Sequence, residues 1–202
     1  MTTQSFGEFV RERYGVLSAG KHTDTDKACV LEAASAWRRV DWTDNPDMLD
    51  LPDLRPLNDA PWRDDEARTE AMIRLFESVR DWASWPGKRR LRFAERVITR
   101  TAREVLPVGL RALGHDDQAE GLARARTFTQ AAASAVWDMS DMVAAVAARP
   151  GAALGNAGRA AASAVGAVKA TSPEAADDLL QRAITIWIEE ARKFGSARRP
   201  RT

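Results

Sequence analysis

The side chains best equipped for chemistry in this 202-residue chain lie in its first third. Glu32, Trp42, Asp44, Asn58, Asp59 and Arg68 bring carboxylates, an amide, an indole and a guanidinium into one stretch. Oxygen-rich sets of this kind bind a polar ligand or a hard cation. The same residue types also serve structure. Glu32 and Arg68 can pair, and Asp44 and Asn58-Asp59 can cap turns and helices. The structural reading is the favoured one. Cys29 and Glu32 are three residues apart, so one helix face carries both. Cys29 beside a base such as His22 would give a nucleophilic thiolate. The competing reading is a small buried cysteine next to a loop histidine, because free cysteines are usually buried and inert.

A second group is basic. Lys88, Arg89, Arg90, Arg92, Arg96, Arg100 and Arg103 crowd one segment, and Arg89, Arg92, Arg96, Arg100 and Arg103 share a helix face. That face could take the phosphates of a nucleic acid. It could equally meet the acidic stretch 41–66, within the chain or across a dimer. A formal net charge of +1 argues against a dedicated nucleic-acid binder, so nucleic acid is the weaker expectation.

Several classes are excluded outright. With two histidines and one cysteine the chain has no His-rich or Cys-rich zinc site and no internal disulfide. It has no phosphate loop, dinucleotide fingerprint or nucleophile elbow. Asp64-Asp65-Glu66 and His115-Asp116-Asp117 read as acidic helix starts rather than metal clusters. No catalytic set, metal centre or cofactor is expected.

The elements that must position these groups are helices. Ser5 and Glu8 have capping-box spacing, and apolar residues then repeat at helical intervals over about residues 6–16. Asp24 or Thr25 is expected to cap a helix over about 26–39. Between 41 and 62, Pro46, Pro52, Pro56 and Pro61 exclude a continuous helix. Leu49, Leu51, Leu54, Leu57 and the two tryptophans there are too apolar for a free linker. An ordered loop is expected, with one helical turn near Leu54–Asn58. Asp64 and Asp65 open the next helix, which should last until Pro86-Gly87. The basic helix follows from Lys88, and Pro107 should kink or end it. From His115 to Arg149 the pattern fits one long helix, or two broken near Asp138–Asp141. Residues 152–170 are rich in alanine with glycine, which permits close helix packing within the chain or between copies. Ser172-Pro173-Glu174 is a cap, an N1 proline and an acid, opening a last helix closed by Gly195.

The product is an all-α single domain over 1–195, a bundle of about six to eight helices, with a basic tail over 196–202. Apolar residues make up 45% of the chain, enough to fill a core. Met1 to Tyr14 carries charges where a secretory leader would be apolar, and no run of about 18 apolar residues is present. A cytoplasmic protein without a membrane span is the expectation.

Gly20-Lys21-His22, Ala28-Cys29-Val30-Leu31-Glu32-Ala33-Ala34-Ser35 and Trp42-Thr43-Asp44-Asn45-Pro46 together are similar to a family of uncharacterised actinobacterial and phage-encoded proteins. That family has a Cys-x-Met-Glu-Ala helix followed by a Ser/Thr-Asp-His-Pro-x-Cys loop. Leu57-Asn58-Asp59 and Asp64 to Thr69 resemble its next blocks, so the likeness covers about residues 20–75. The alanine-rich part over 115–195 resembles it only loosely. Asn45 stands where the family has His, Asp47-Met48 replaces its Cys region, and Leu31 stands for its Met. A metal site made by the family pattern would be largely lost here. The resemblance implies no activity.

Three functions follow as expectations. The leading one is a non-enzymatic factor, phage-type or accessory, that contacts another protein through the loop Trp42–Trp62 with its aromatics as anchors. The second is a small-ligand receptor or enzyme with a pocket at Glu32, Trp42, Asp44, Asn58, Asp59 and Arg68. The third is nucleic-acid binding through residues 88–103. A homo-oligomer through 152–170 is a further partner expectation.

Overall fold

A computed structural model describes residues 4–23, 25–127, 129–130 and 148–195. Among these residues the regular structure is all helix, as the apolar spacing predicts.

Helix α1 (Phe6–Arg13) starts on the expected capping box: Ser5 N–H donates to Glu8 at 2.8 Å, and Glu8 N–H donates to Ser5 Oγ at 3.2 Å. It stops short of residue 16 because Gly15 turns left-handed at φ 71°. Helix α2 (Val30–Arg38) begins four residues later than the sequence pattern suggests. Asp24 lies outside the described residues, and the start is set by other groups. Cys29 N–H donates to Glu32 at 2.9 Å, and Val30 N–H donates to Asn58 Oδ1 at 3.2 Å. First-turn donors have no partner inside a helix, so a helix starts where side chains can receive them.

The proline-rich stretch is ordered as expected. It contains α3 (Pro46–Leu49), which the sequence reading missed, and α4 (Arg55–Asn58), which it placed. Leu49, Leu51, Leu54, Leu57 and Trp62 are buried and pin the stretch to the core. Helix α5 (Asp65–Val79) is capped by Asp64, whose Oδ1 accepts Ala67 N–H at 2.7 Å. It ends before Pro86-Gly87, and a 3-10 turn over Trp82–Ser84 fills the interval. Helix α6 (Gly87–Glu104) is the basic helix, and α7 (Leu106–Ala112) follows at once, with Pro107 in its first turn. Helix α8 (Asp116–Arg124) covers the start of the 115–149 segment; the expected break near 138–141 lies outside the described residues. Helices α9 (Pro150–Lys169) and α10 (Pro173–Gly195) complete the chain.

Helix α9 packs on α4, α6, α7 and α10, while α10 also packs on α5 and α6. One continuous core runs from Phe6 in α1 to Ala191 in α10. Its aromatic centre sets Phe93 edge-on to Trp82, Trp85 and Trp187. The small residues of α9 are used inside the chain. A Cβ on Gly155 would lie 2.7 Å from the Asp53 side chain, and one on Gly158 would lie 3.2 Å from Leu57. The loop before α4 therefore rests directly on the backbone of α9. No helix among the described residues is long and apolar enough to cross a membrane.

A candidate ligand cleft and the buried polar layer beneath it

The polar residues of the first third do meet, in two layers. The lower layer is buried. Glu32 is fully enclosed, and its carboxylate receives His22 N–H at 2.7 Å, Cys29 N–H at 2.9 Å and an imidazole contact from His22 Nδ1 at 2.8 Å. Asn58 is also fully enclosed. Its amide NH2 donates to Ser18 O at 2.9 Å and to Asp59 Oδ1 at 2.8 Å, while its oxygen accepts Val30 N–H. Arg68 donates to Asn58 O at 2.9 Å and pairs with Asp65 one helical turn away. Thr69 Oγ1 accepts Leu17 N–H at 2.7 Å. Trp42 donates its indole N–H to His22 O at 3.2 Å.

Every one of these bonds lands on the 17–22 loop or on an element that grips it. Buried polar groups are normally satisfied, and here each satisfied group also fixes a loop backbone. The expected Glu32–Arg68 pair does not form; Glu32 takes His22 and Arg68 takes Asp65. Asp44 is not a cap either, because Asn45 Oδ1 caps α3 by accepting Asp47 N–H at 3.0 Å. The thiolate reading of Cys29 is not supported. Burial pushes its thiol up to about 12, and the neighbouring Glu32 carboxylate also opposes ionisation.

The upper layer is open. A cleft of about 640 Å³ is walled by the Gly20-Lys21 loop, Asp44, the 53–61 stretch and the Arg159–Ser163 turn of α9. Of the expected pocket residues, Asp44 and Asp59 line it. Glu32, Trp42, Asn58 and Arg68 do not; they hold its wall from behind. Asp59 Oδ1 accepts Gly20 N–H at 2.8 Å, which closes the loop over the cleft. Asp53 is spent on Arg55, with bonds of 2.8 and 3.0 Å, and that hydrogen bonding raises the Arg55 pKa. Lys21 reaches Asp44 only at 3.7 Å and is largely exposed. Arg159 has no partner among the described residues. The lining thus holds two loosely committed cations, two carboxylates with open lone pairs, the Ser163 hydroxyl and an apolar floor of Pro56, Ala60, Pro61 and Ala162.

Sequence reasoning missed Lys21, Arg55 and Arg159 as cleft residues. Arg159 had a visible signal: it is the single charged residue between Pro150 and Val168. A charge isolated in an alanine-rich helix marks the face that leaves the core.

The basic face of α6 is largely paired within the chain. Arg100 bonds Glu104 at 2.8 Å, Glu189 at 2.7 Å and Glu190 at 3.0 Å, and these carboxylates raise its pKa. Arg103 bonds Glu104 at 3.0 Å, and Arg96 lies 3.6 Å from Glu190. Arg89 stacks on Trp85, its guanidinium 3.9 Å from the ring centre. Arg92 is exposed. The acidic partner is chiefly α10 rather than the 41–66 stretch, which contributes Asp50 to Arg90 at 2.9 Å. Burial would raise the Glu104 pKa, but hydrogen bonds from Arg100, Arg103 and Arg182 outweigh it and hold the carboxyl down at about 2. This set lines a second cleft of about 780 Å³. No group of metal-ligating side chains occurs among the described residues.

Comparison of the chain with protein-family models, curated proteins and solved structures finds no match.

Proposed function

We propose that the chain binds a small polar molecule carrying an anionic group and hydroxyls, such as a phosphorylated sugar, in the cleft beside α9. The observation that carries this reading is the lining itself: Arg159 has no ion pair among the described residues, Lys21 meets Asp44 only at 3.7 Å, and Asp44 and Asp59 offer acceptors for hydroxyls. Its volume falls in the range of small-molecule sites, roughly 300–1,000 Å³. A polar lining favours a polar ligand, since a lining group left unpaired by an apolar one costs binding energy. The buried Glu32, Asn58 and Arg68 layer supports the reading by fixing the wall before any ligand arrives.

Calorimetric titration with ribose 5-phosphate, and with inorganic phosphate as control, tests the proposal. The sugar phosphate is expected to bind more tightly than phosphate. Arg159→Ala should weaken it by about 10- to 100-fold, the value of one charge-assisted hydrogen bond. Arg159 is exposed on a helix that favours alanine, so this variant keeps the fold. Equal affinity in wild type and Arg159→Ala, or no heat at millimolar ligand, refutes the reading.

A second reading, docking of a protein partner, is favoured by a different observation. The Trp42 indole is spent on His22 and the Trp62 indole on Leu57, so neither is a free anchor. The loop 39–50 instead exposes Val40 and Met48, 52% and 65% accessible.

A further inference from the structure

We infer that the cleft beside α9 selects ligands with a single anionic group, and that Asp44 is the residue that rejects a second one; this rests on the sugar-phosphate reading above. Three observations lead there.

The first is the charge of the lining. Three cations face the cleft, Lys21, Arg55 and Arg159, and so do three carboxylates, Asp44, Asp53 and Asp59. The lining is therefore neutral as a whole, where a site for a polyanion would be basic. Asp53 is consumed by Arg55, with bonds of 2.8 and 3.0 Å. Lys169 touches the wall but is committed to the carbonyls of Pro61 at 2.9 Å and Trp62 at 3.3 Å. Arg159 is exposed and has no ion pair among the described residues. It is the cation of the lining that no carboxylate holds.

The second is the place of Asp44. One of its oxygens lies 3.7 Å from Lys21 Nζ and the other 4.0 Å from Arg55 Nη1. Its side chain keeps 18% exposure and accepts no hydrogen bond among the described residues. Asp44 is thus the counter-ion of both remaining cations at once. An anion drawn to Lys21 or Arg55 comes up against this carboxylate, and like charges brought together oppose association. A hydroxyl meets the same oxygens as acceptors and donates to them.

The third is fixation. Thr43 N–H donates to Ser35 Oγ at 3.3 Å, and Asn45 N–H donates to Thr43 Oγ1 at 3.0 Å, so the backbone on both sides of Asp44 is tied. Asp59 is tied as well, its Oδ1 accepting Gly20 N–H and the Asn58 amide, each at 2.8 Å. Negative charge built into a held wall excludes the wrong ligand more sharply than charge that can retreat. The ligand class that fits is a monophosphate ester with free hydroxyls at its other end. Its phosphate goes to Arg159 and its hydroxyls to Asp44 and Asp59. A bisphosphate has to set one phosphate against Asp44.

Calorimetric titration of the full chain with ribose 5-phosphate and ribose 1,5-bisphosphate tests this. The wild type should bind the monophosphate at least about tenfold more tightly. Asp44→Asn has the same shape without the charge. It should tighten the bisphosphate about tenfold or more and change ribose 5-phosphate by less than about threefold. An unchanged melting temperature shows an intact fold. Asp47→Asn makes the same change of net charge on an exposed residue outside the cleft and should keep the wild-type preference. A wild type that binds the bisphosphate as tightly as the monophosphate, or more so, overturns this inference and leaves the cleft reading standing. So does a preference that survives Asp44→Asn or falls equally in Asp47→Asn. No binding of either ligand removes the cleft reading and this inference with it.

Discussion

Glu32→Ala is the substitution that most directly tests whether the buried layer holds the cleft. The Glu32 carboxylate has no exposed surface and receives two backbone N–H groups and a ring nitrogen. Alanine removes the acceptor and leaves the donors in place. A buried donor without a partner costs about 1–3 kcal/mol. Cys29 N–H is in a buried setting and carries that full cost, while His22 N–H is partly buried and recovers some by hydration. The helix also loses a first-turn acid at its positive end, worth about 0.5 kcal/mol. The sum is a loss of roughly 2–4 kcal/mol. Glu32→Gln keeps one acceptor oxygen but turns an NH2 group toward N–H donors, so it should lose about half as much. Urea denaturation reads the stability. Amide exchange reads the location, with His22 and Cys29 speeding up while the amides of α10 keep their protection. If both variants unfold at the wild-type urea midpoint and exchange is unchanged, the carboxylate does not clamp the 17–22 loop to α2. If stability falls but sugar-phosphate affinity does not, the buried layer is structural alone and does not shape the cleft.

Three further outcomes are expected. Acid should loosen α6 from α10: Glu104 is held at about 2 against an ordinary value of 4.5, so its contribution is complete above pH 4.5 and is lost as pH falls toward 2. That difference corresponds to at most about 3 kcal/mol, and Glu190, also lowered, acts in the same direction; Glu104→Gln should flatten the stability–pH curve between pH 4.5 and 2. Gly109→Ala should destabilise by about 1–3 kcal/mol or more, because its Cβ would sit 2.6 Å from Ala164 Cα where α7 crosses α9; Ala164→Gly should restore part of the loss in thermal melts. Met48→Ser should leave the melting temperature within about 1 °C of wild type, since its side chain is mostly exposed; a large drop would show that it packs in the core.

The helices were legible because their signals are local. Ser5 with Glu8, Asp64 before α5 and Ser172-Pro173 before α10 lie within a few residues of the bonds they make. The late start of α2 was not legible, because Val30 N–H is received by Asn58, 28 residues away. Leu17 and Thr69 are 52 apart, and Arg100 and Glu190 are 90 apart. Such bonds depend on how helices pack, which residue type does not encode. The polar residues of the candidate site were recognised as a group for the same reason. Their types said that they would be satisfied, and spacing alone could not say by whom.

The alanine-rich helix shows how a bland sequence can still carry a packing signal. Two of its glycines make sense only against particular neighbours: Gly155 against Asp53 and Gly158 against Leu57. These contacts press the 53–57 chain onto α9. Close approach then brings the next residue, Arg159, to the edge of the same chain segment, where Asp59 has already drawn in Gly20. A larger residue at Gly155 would push Asp53 and Arg55 away and widen the cleft. Gly155 and Gly158 thus set the distance across the cleft, and Arg159 falls at its rim.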